Sequence, residues 1–212
     1  MKKIDFKTLI LTCVFCLLPI LIGLWQYDAL PEKVAIHFDI NNNPDNYFNK
    51  ALFVFGMPIF MAVLEAICSI VVDLTDKHKD ANKKVTMVMK WMIPVILVVM
   101  YIITIAYNLG TKLDIRVWVM LLLGAMFIIT GNYLPKTVGT NKWPQKKFTE
   151  NVQRRINRIG GYVMMAYGAL FMLSVFFPPL ISVLVLVCLV IFLIILTIYG
   201  FSLDKKERKG NK

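Results

Sequence analysis

The chain has 212 residues, 58% of them hydrophobic, and still carries a formal net charge of +11. Both hold together only when the charge is confined to links between apolar segments, which excludes an ordinary soluble globular fold. The links are too short to hold a core of their own. A single all-α, polytopic integral membrane domain over residues 1–212 is therefore expected.

Lys2 and Lys3 precede a first apolar run over 8–27. A secretion signal has an apolar stretch of only about 7–15 residues and a small-residue cleavage site. This run is longer, and no such site precedes Leu30, so a retained helix loosened near Pro19 is expected. Cys13 follows Thr12, a poor fit to lipid attachment. Cys13 and Cys16 have CxxC spacing, but a thiolate inside an apolar helix is unfavourable. Cys68 and Cys188 also fall at membrane depth, and all four read as small apolar residues.

The link over 28–50 is long and polar. Val34, Ile36 and Phe38 alternate with Ala35, His37 and Asp39, which predicts a short strand. Asn41-Asn42-Asn43-Pro44-Asp45 is turn chemistry, because Asn and Asp tolerate positive φ and bond to their own backbone. A small cap against one membrane face follows. His37, Asp39 and Asp45 have no recognised metal-ligand spacing, so no metal is expected there.

Spans over 51–72, 91–109 and 117–134 come next, each near the ~20 helical residues that cross a ~30 Å hydrocarbon layer. Pro58 and Pro94 lie inside two of them and free backbone carbonyls that neighbouring groups must satisfy. Glu65 reads as the one ionisable side chain well inside a span. Such a residue marks function by default and is expected to face the bundle, with Asn108 and Asn132 as possible hydrogen-bond partners. From Gly160 to Tyr199 no residue is charged, and Pro178-Pro179 divides the stretch into spans over 160–177 and 180–200.

Six spans place both termini on one side. Three basic residues then lie near the N-terminus, five between Lys77 and Lys90, seven between Lys136 and Arg158, and five in the 201–212 tail. The other side keeps Lys33, Lys50, Lys112 and Arg116. Twenty of the 24 basic residues thus share the face of the 73–90 and 135–158 links, which makes that face cytoplasmic and 28–50 external. The positive charge reads as a topology signal and as attraction to anionic lipid, not as a nucleic-acid footprint. His37 and His78 fall on opposite sides, and no HExxH, GxSxG or Gly-rich phosphate loop is present. Neither catalysis nor a cofactor is expected.

Two blocks carry a family resemblance. Leu30, Pro31, Val34, Ile36, His37, Phe38, Asp39, Pro44, Asp45, Tyr47 and Lys50 resemble the signature before the second span of the SdpI-type immunity proteins of bacteria. Gly131-Asn132, the run to Trp143-Pro144, and Asn151 through Gly161 look like that family's link between spans four and five. The family's Arg-Thr-Pro-Trp is replaced by Asn141-Lys142-Trp143-Pro144. Gln153 and Asn157 stand where Trp and His are usual. Lys142 keeps a charge without the planar fork of arginine.

The resemblance implies a plasma-membrane protein that protects a cell from a secreted peptide toxin and holds a small winged-helix repressor at the membrane. It implies toxin sensing at Pro31, His37, Asp39, Asp45 and Lys50. It places partner docking on Asn132, Lys142, Trp143, Pro144, Asn157, Arg158 and Gly161. The alternative is a small secondary transporter or efflux protein using Glu65, although matching broken helices in two repeats are not evident.

Overall fold

The computed structural model describes residues 4–75, 83–137 and 148–210. The chain divides into two compact units, Met1–Asp73 with Met89–Leu122, and Leu74–Val88 with Leu123–Lys212. Helices dominate both. Side chains such as Leu21, Phe60 and Ile198 are more than 60% exposed, while the buried positions include many polar groups. This inversion of a soluble fold suits helices that face lipid.

In the first unit, helix α1 (Phe6–Leu17) opens on Asp5, whose carboxylate accepts the Thr8 N–H at 3.2 Å and the Thr8 hydroxyl at 2.7 Å. The loosening expected at Pro19 is present: α1 stops at Leu17 and α2 (Pro19–Trp25) follows after Leu18. Leu18 keeps helical dihedrals, so the 20 residues Phe6–Trp25 form one candidate span.

Strands β1 (Lys33–Phe38) and β2 (Pro44–Asn49) pair antiparallel, so the all-helical expectation is corrected by a two-stranded sheet. The strand expected over Val34–Phe38 is there. Its partner β2 was not anticipated, because Pro44–Asn49 has no alternation. The phase of β1 also differs. Val34 and Ala35 are both buried while Ile36 is half-buried, since the register slips between Ala35 and His37 and a slip turns side chains to the other face. In the turn, Asn42 takes φ +65°, the only positive-φ residue other than glycine among those described.

A π-helical turn (Leu52–Gly56) leads into α3 (Met57–Thr75). Pro58 has no N–H to give the Val54 carbonyl, and the Tyr101 hydroxyl of α4 (Lys83–Asn108) donates there at 3.4 Å. Tyr101 also stacks on Phe53, with centroids 4.6 Å apart. The core of this unit gathers Leu30, Val34, Phe53, Val54, Tyr101 and Ile105 under the hairpin.

Two asparagines fasten the hairpin to the helices. The Asn108 carboxamide accepts the Ala35 N–H (2.8 Å) and donates to the Ala35 carbonyl (3.0 Å), taking the place of a neighbouring strand. Asn42 donates to the Leu113 carbonyl and accepts the N–H of Ile115, the first residue of α5 (Ile115–Tyr133), both at 2.9 Å. Asn108→Ala strips Ala35 of both bonds, and an unpaired buried backbone group costs about 1–3 kcal/mol. Amide exchange at Ala35 is expected to quicken correspondingly, while exchange in the middle of α3 stays unchanged.

In the second unit, the later part of α5 lies against α6 (Glu150–Ser174) at backbone contact. A Cβ on Gly161 would meet the Gly131 carbonyl at 2.6 Å, and one on Gly168 would meet the Gly124 carbonyl at 2.7 Å. Each helix spaces its two glycines seven residues apart, two turns along one face. Helix α7 (Pro179–Gly210) begins with proline at its first turn and packs on α6 through Phe148, Val152, Ile156 and Leu196. Thr149 caps α6, and its N–H reaches Asp204 of α7 at 2.9 Å while its hydroxyl reaches Glu207. Two acids thereby sit at the positive end of α6.

Among the described residues, five helical segments are long and apolar enough to cross a membrane: Phe6–Trp25, Leu52–Leu74, Lys83–Asn108, Ile115–Lys136 and Pro179–Lys209. The remaining expected span, 160–177, overlaps the apolar end of α6, which stops at Ser174 and whose first turns carry Glu150, Arg154, Arg155 and Arg158. Three expected polar links are shorter than charge alone indicated. Helix α3 runs to Thr75 and α4 starts at Lys83, α6 starts at Glu150, and α7 continues through the supposed tail to Gly210.

Candidate functional site

Two places concentrate the polar residues of the first unit, at its opposite ends. The first is the hairpin. Of the residues predicted to sense a ligand, His37 and Asp45 meet across the strands, Nδ1 to Oδ1 at 2.5 Å, with side chains 67% and 47% exposed. Asp39 is committed elsewhere. It accepts the N–H groups of Asn41 (2.9 Å) and Asn43 (2.7 Å) and shapes the turn. The three do not gather around one point. Lys50 lies at the base, paired with Glu32 at 2.9 Å and set over the Tyr27 ring at 4.8 Å. Pro31 is exposed where the chain enters β1. Asp45 and Tyr47 present an outer face, with Tyr47 47% exposed.

The electrostatics of this end are settled locally. The Asn43 N–H, with further bonds from Asn43 and Asn41, holds the Asp39 carboxyl below its ordinary value of 3.8. The hydrogen bond to Glu32 holds the Lys50 ammonium above its ordinary value. A carboxyl depressed in the folded state contributes fully above its unfolded value and fails as pH falls through the folded one. The Asn41 and Asn43 amides are therefore expected to stay protected at neutral and mildly acidic pH and to lose protection only below about pH 4. Exchange rates across an acid series, corrected for intrinsic rates, measure this.

The second place is the opposite end and interior of the same bundle. Glu65, Ser69 and Asp73 follow one another at four-residue spacing on α3, and none is more than 1% exposed. From α1, the buried Thr12 and Cys16 face this strip. From α4 comes Lys90, which gives its ammonium to Asp73 at 2.8 Å with both side chains almost wholly buried. The Asp5 N–H also donates to Asp73, at 2.8 Å. Glu65 has no such anchor. Among the described residues, neither carboxyl oxygen has a hydrogen-bond partner, and the Ser69 hydroxyl has none either. Thr12 stands beside Glu65 but gives its hydroxyl to the Leu9 carbonyl at 3.1 Å.

Two sequence expectations are corrected here. Glu65 is not the one buried ionisable side chain of these helices, because Asp73 and Lys90 are buried in helices as well and do not lie in a solvated link. Nor does Asn108 serve Glu65: it holds β1. In its own unit Asn132 accepts from Lys136 at 3.4 Å. The missed signal was the 65–69–73 spacing itself, which puts three polar residues on one helical face.

In the second unit, Asn132 and Arg158 are exposed. Asn157 is buried and donates to the Thr137 hydroxyl at 2.8 Å, and Gly161 is buried against Gly131 and Pro135. Both are buried in this unit. Lys142, Trp143 and Pro144 lie outside the described residues, as does His78.

A domain of unknown function, DUF1648, matches residues 14–62. The matched stretch begins in α1, takes in the whole hairpin and ends in α3. It therefore includes Pro31, His37, Asp39, Asp45 and Lys50 and stops short of Glu65. No curated protein and no solved structure matches the chain.

Proposed function

We propose that the chain is a multi-pass immunity protein of the SdpI type in the bacterial plasma membrane, giving protection against a secreted antimicrobial peptide toxin. The hairpin faces outward and receives the peptide. The basic segment before α6 faces the cytoplasm, where Asn132 and Arg158, together with Lys142, Trp143 and Pro144, dock a small winged-helix repressor. This is a binding role, with no bond made or broken in the peptide.

The hairpin carries the reading. It is fixed to the helix ends by Asn42 and Asn108 and to its own base by Lys50, while its Asp45–Tyr47 side is left open. A surface held rigid before binding loses less conformational freedom when a partner arrives, which favours affinity. The excess of basic residues on the opposite side supports the same orientation.

Cells expressing the chain are expected to survive culture supernatant of the producing strain at doses that kill cells carrying an empty vector. Unchanged sensitivity contradicts the reading. The unpartnered Glu65 carboxyl favours a second one: protection lost on Glu65→Gln alone points to an ion-coupled transporter.

A further inference from the structure

The interior strip of the first unit holds more than the hairpin reading uses. A carboxyl wholly buried in a membrane span, with both oxygens unpartnered, is strongly disfavoured as a bare ion. The described ionisable groups that face Glu65 are Lys90 from α4 and the Cys13 and Cys16 thiols from α1, with Asp73 two turns on along α3 and Asp5 beyond it at the end of the bundle. None supplies the missing charge. Lys90 is seated on Asp73, and the thiols bring no positive charge. The Ser69 hydroxyl one turn away adds a further buried oxygen without a partner. In a helix such a hydroxyl can bond back to the carbonyl four residues earlier, and this one does not, which is a second, independent observation that points to ligand binding here.

We propose that Glu65 and Ser69, with Thr12 alongside, form a binding site for a small monovalent cation, a proton or a sodium ion, between α1 and α3. The two ligands share one chemistry: a single positive charge accepted by the Glu65 oxygens. The Asp73–Lys90 pair lies two turns along the same face and forms the polar route toward the Asp5 end. The proposal is independent of what the hairpin binds, so its outcome leaves the immunity reading untouched.

The test uses the full chain in detergent micelles and dicyclohexylcarbodiimide, an apolar reagent that attacks protonated carboxyls, with adducts located by mass spectrometry. Glu65 is expected to react at neutral pH at least about tenfold faster than Glu32, whose side chain is 88% exposed. With a proton as ligand, the rate falls as pH rises and ignores sodium. With sodium as ligand, sodium chloride protects Glu65 and choline chloride does not. The melting temperature of the wild type is expected to follow the same variable, and Glu65→Gln to remove that dependence. Reaction no faster than that of Glu32 at every pH and sodium concentration would overturn the proposal. So would a melting temperature indifferent to both, which needs no variant to fold.

Discussion

Lys90→Met is expected to destabilise the first unit by about 3–5 kcal/mol, because it leaves the Asp73 charge buried without its ammonium. Asp73 and Lys90 are 1% and 3% exposed and lie 2.8 Å apart. A surface pair is worth at most about 1 kcal/mol, so the size of the loss itself separates an interior pair from a link charge. Against a total stability of about 5–15 kcal/mol, it removes a large share of the folded protein. The double variant Lys90→Met with Asp73→Asn is expected to regain most of the loss. It takes away both charges and keeps a carbonyl to accept the Asp5 N–H. Melting temperatures of wild type, single and double variants in detergent measure the cycle. Equal melting of the single variant and the wild type would mean that Lys90 is solvated.

Gly161→Ala is the second large effect, and its sign runs against helix propensity. In a free helix the change gains about 0.5–1 kcal/mol. Here the new methyl carbon would lie 2.6 Å from the Gly131 carbonyl and from the Pro135 ring. A backbone carbonyl cannot swing aside, so α5 and α6 must separate, at a cost of typically about 1–3 kcal/mol. The clash wins, and the melting temperature is expected to fall. Gly110→Ala, with no heavy atom within 4 Å of its Cβ but φ at +92°, is the control: it tests backbone strain without crowding. A neutral or stabilised Gly161→Ala variant would mean that the α5–α6 contact is looser than described.

Much of this organisation was readable before any coordinates, and the failures share a cause. Hydropathy found the five described segments long and apolar enough to cross a bilayer, because such helices cannot hide in composition. Val34, Ile36 and Phe38 announced β1, and the Asn run announced a turn whose positive φ falls on Asn42. β2 stayed invisible because Pro44–Asn49 becomes a strand only by pairing with β1. Counting charges set the boundaries too early. Lys90, Arg154 and Asp204 all lie in helices that outlast their apolar stretch, since a helix continues as long as its backbone bonds are made. Lys90 was assigned to a solvated link on charge alone, and only three-dimensional neighbours reveal that it serves Asp73. Pro58 pointed to a freed carbonyl, but nothing in the sequence named Tyr101 as the donor.

Survival of cells expressing a hairpin variant decides whether the hairpin meets the toxin. The double substitution His37→Ala with Asp45→Ala removes the exposed pair while the fastenings at Asn42 and Asn108 remain. Wild type and variant should reach the membrane in equal amount and melt alike. Exposed to supernatant of the producing strain, cells with the wild type are predicted to survive and cells with the variant to die as vector controls do. Full protection by the variant, at equal amount in the membrane, would contradict the hairpin as the surface that meets the toxin.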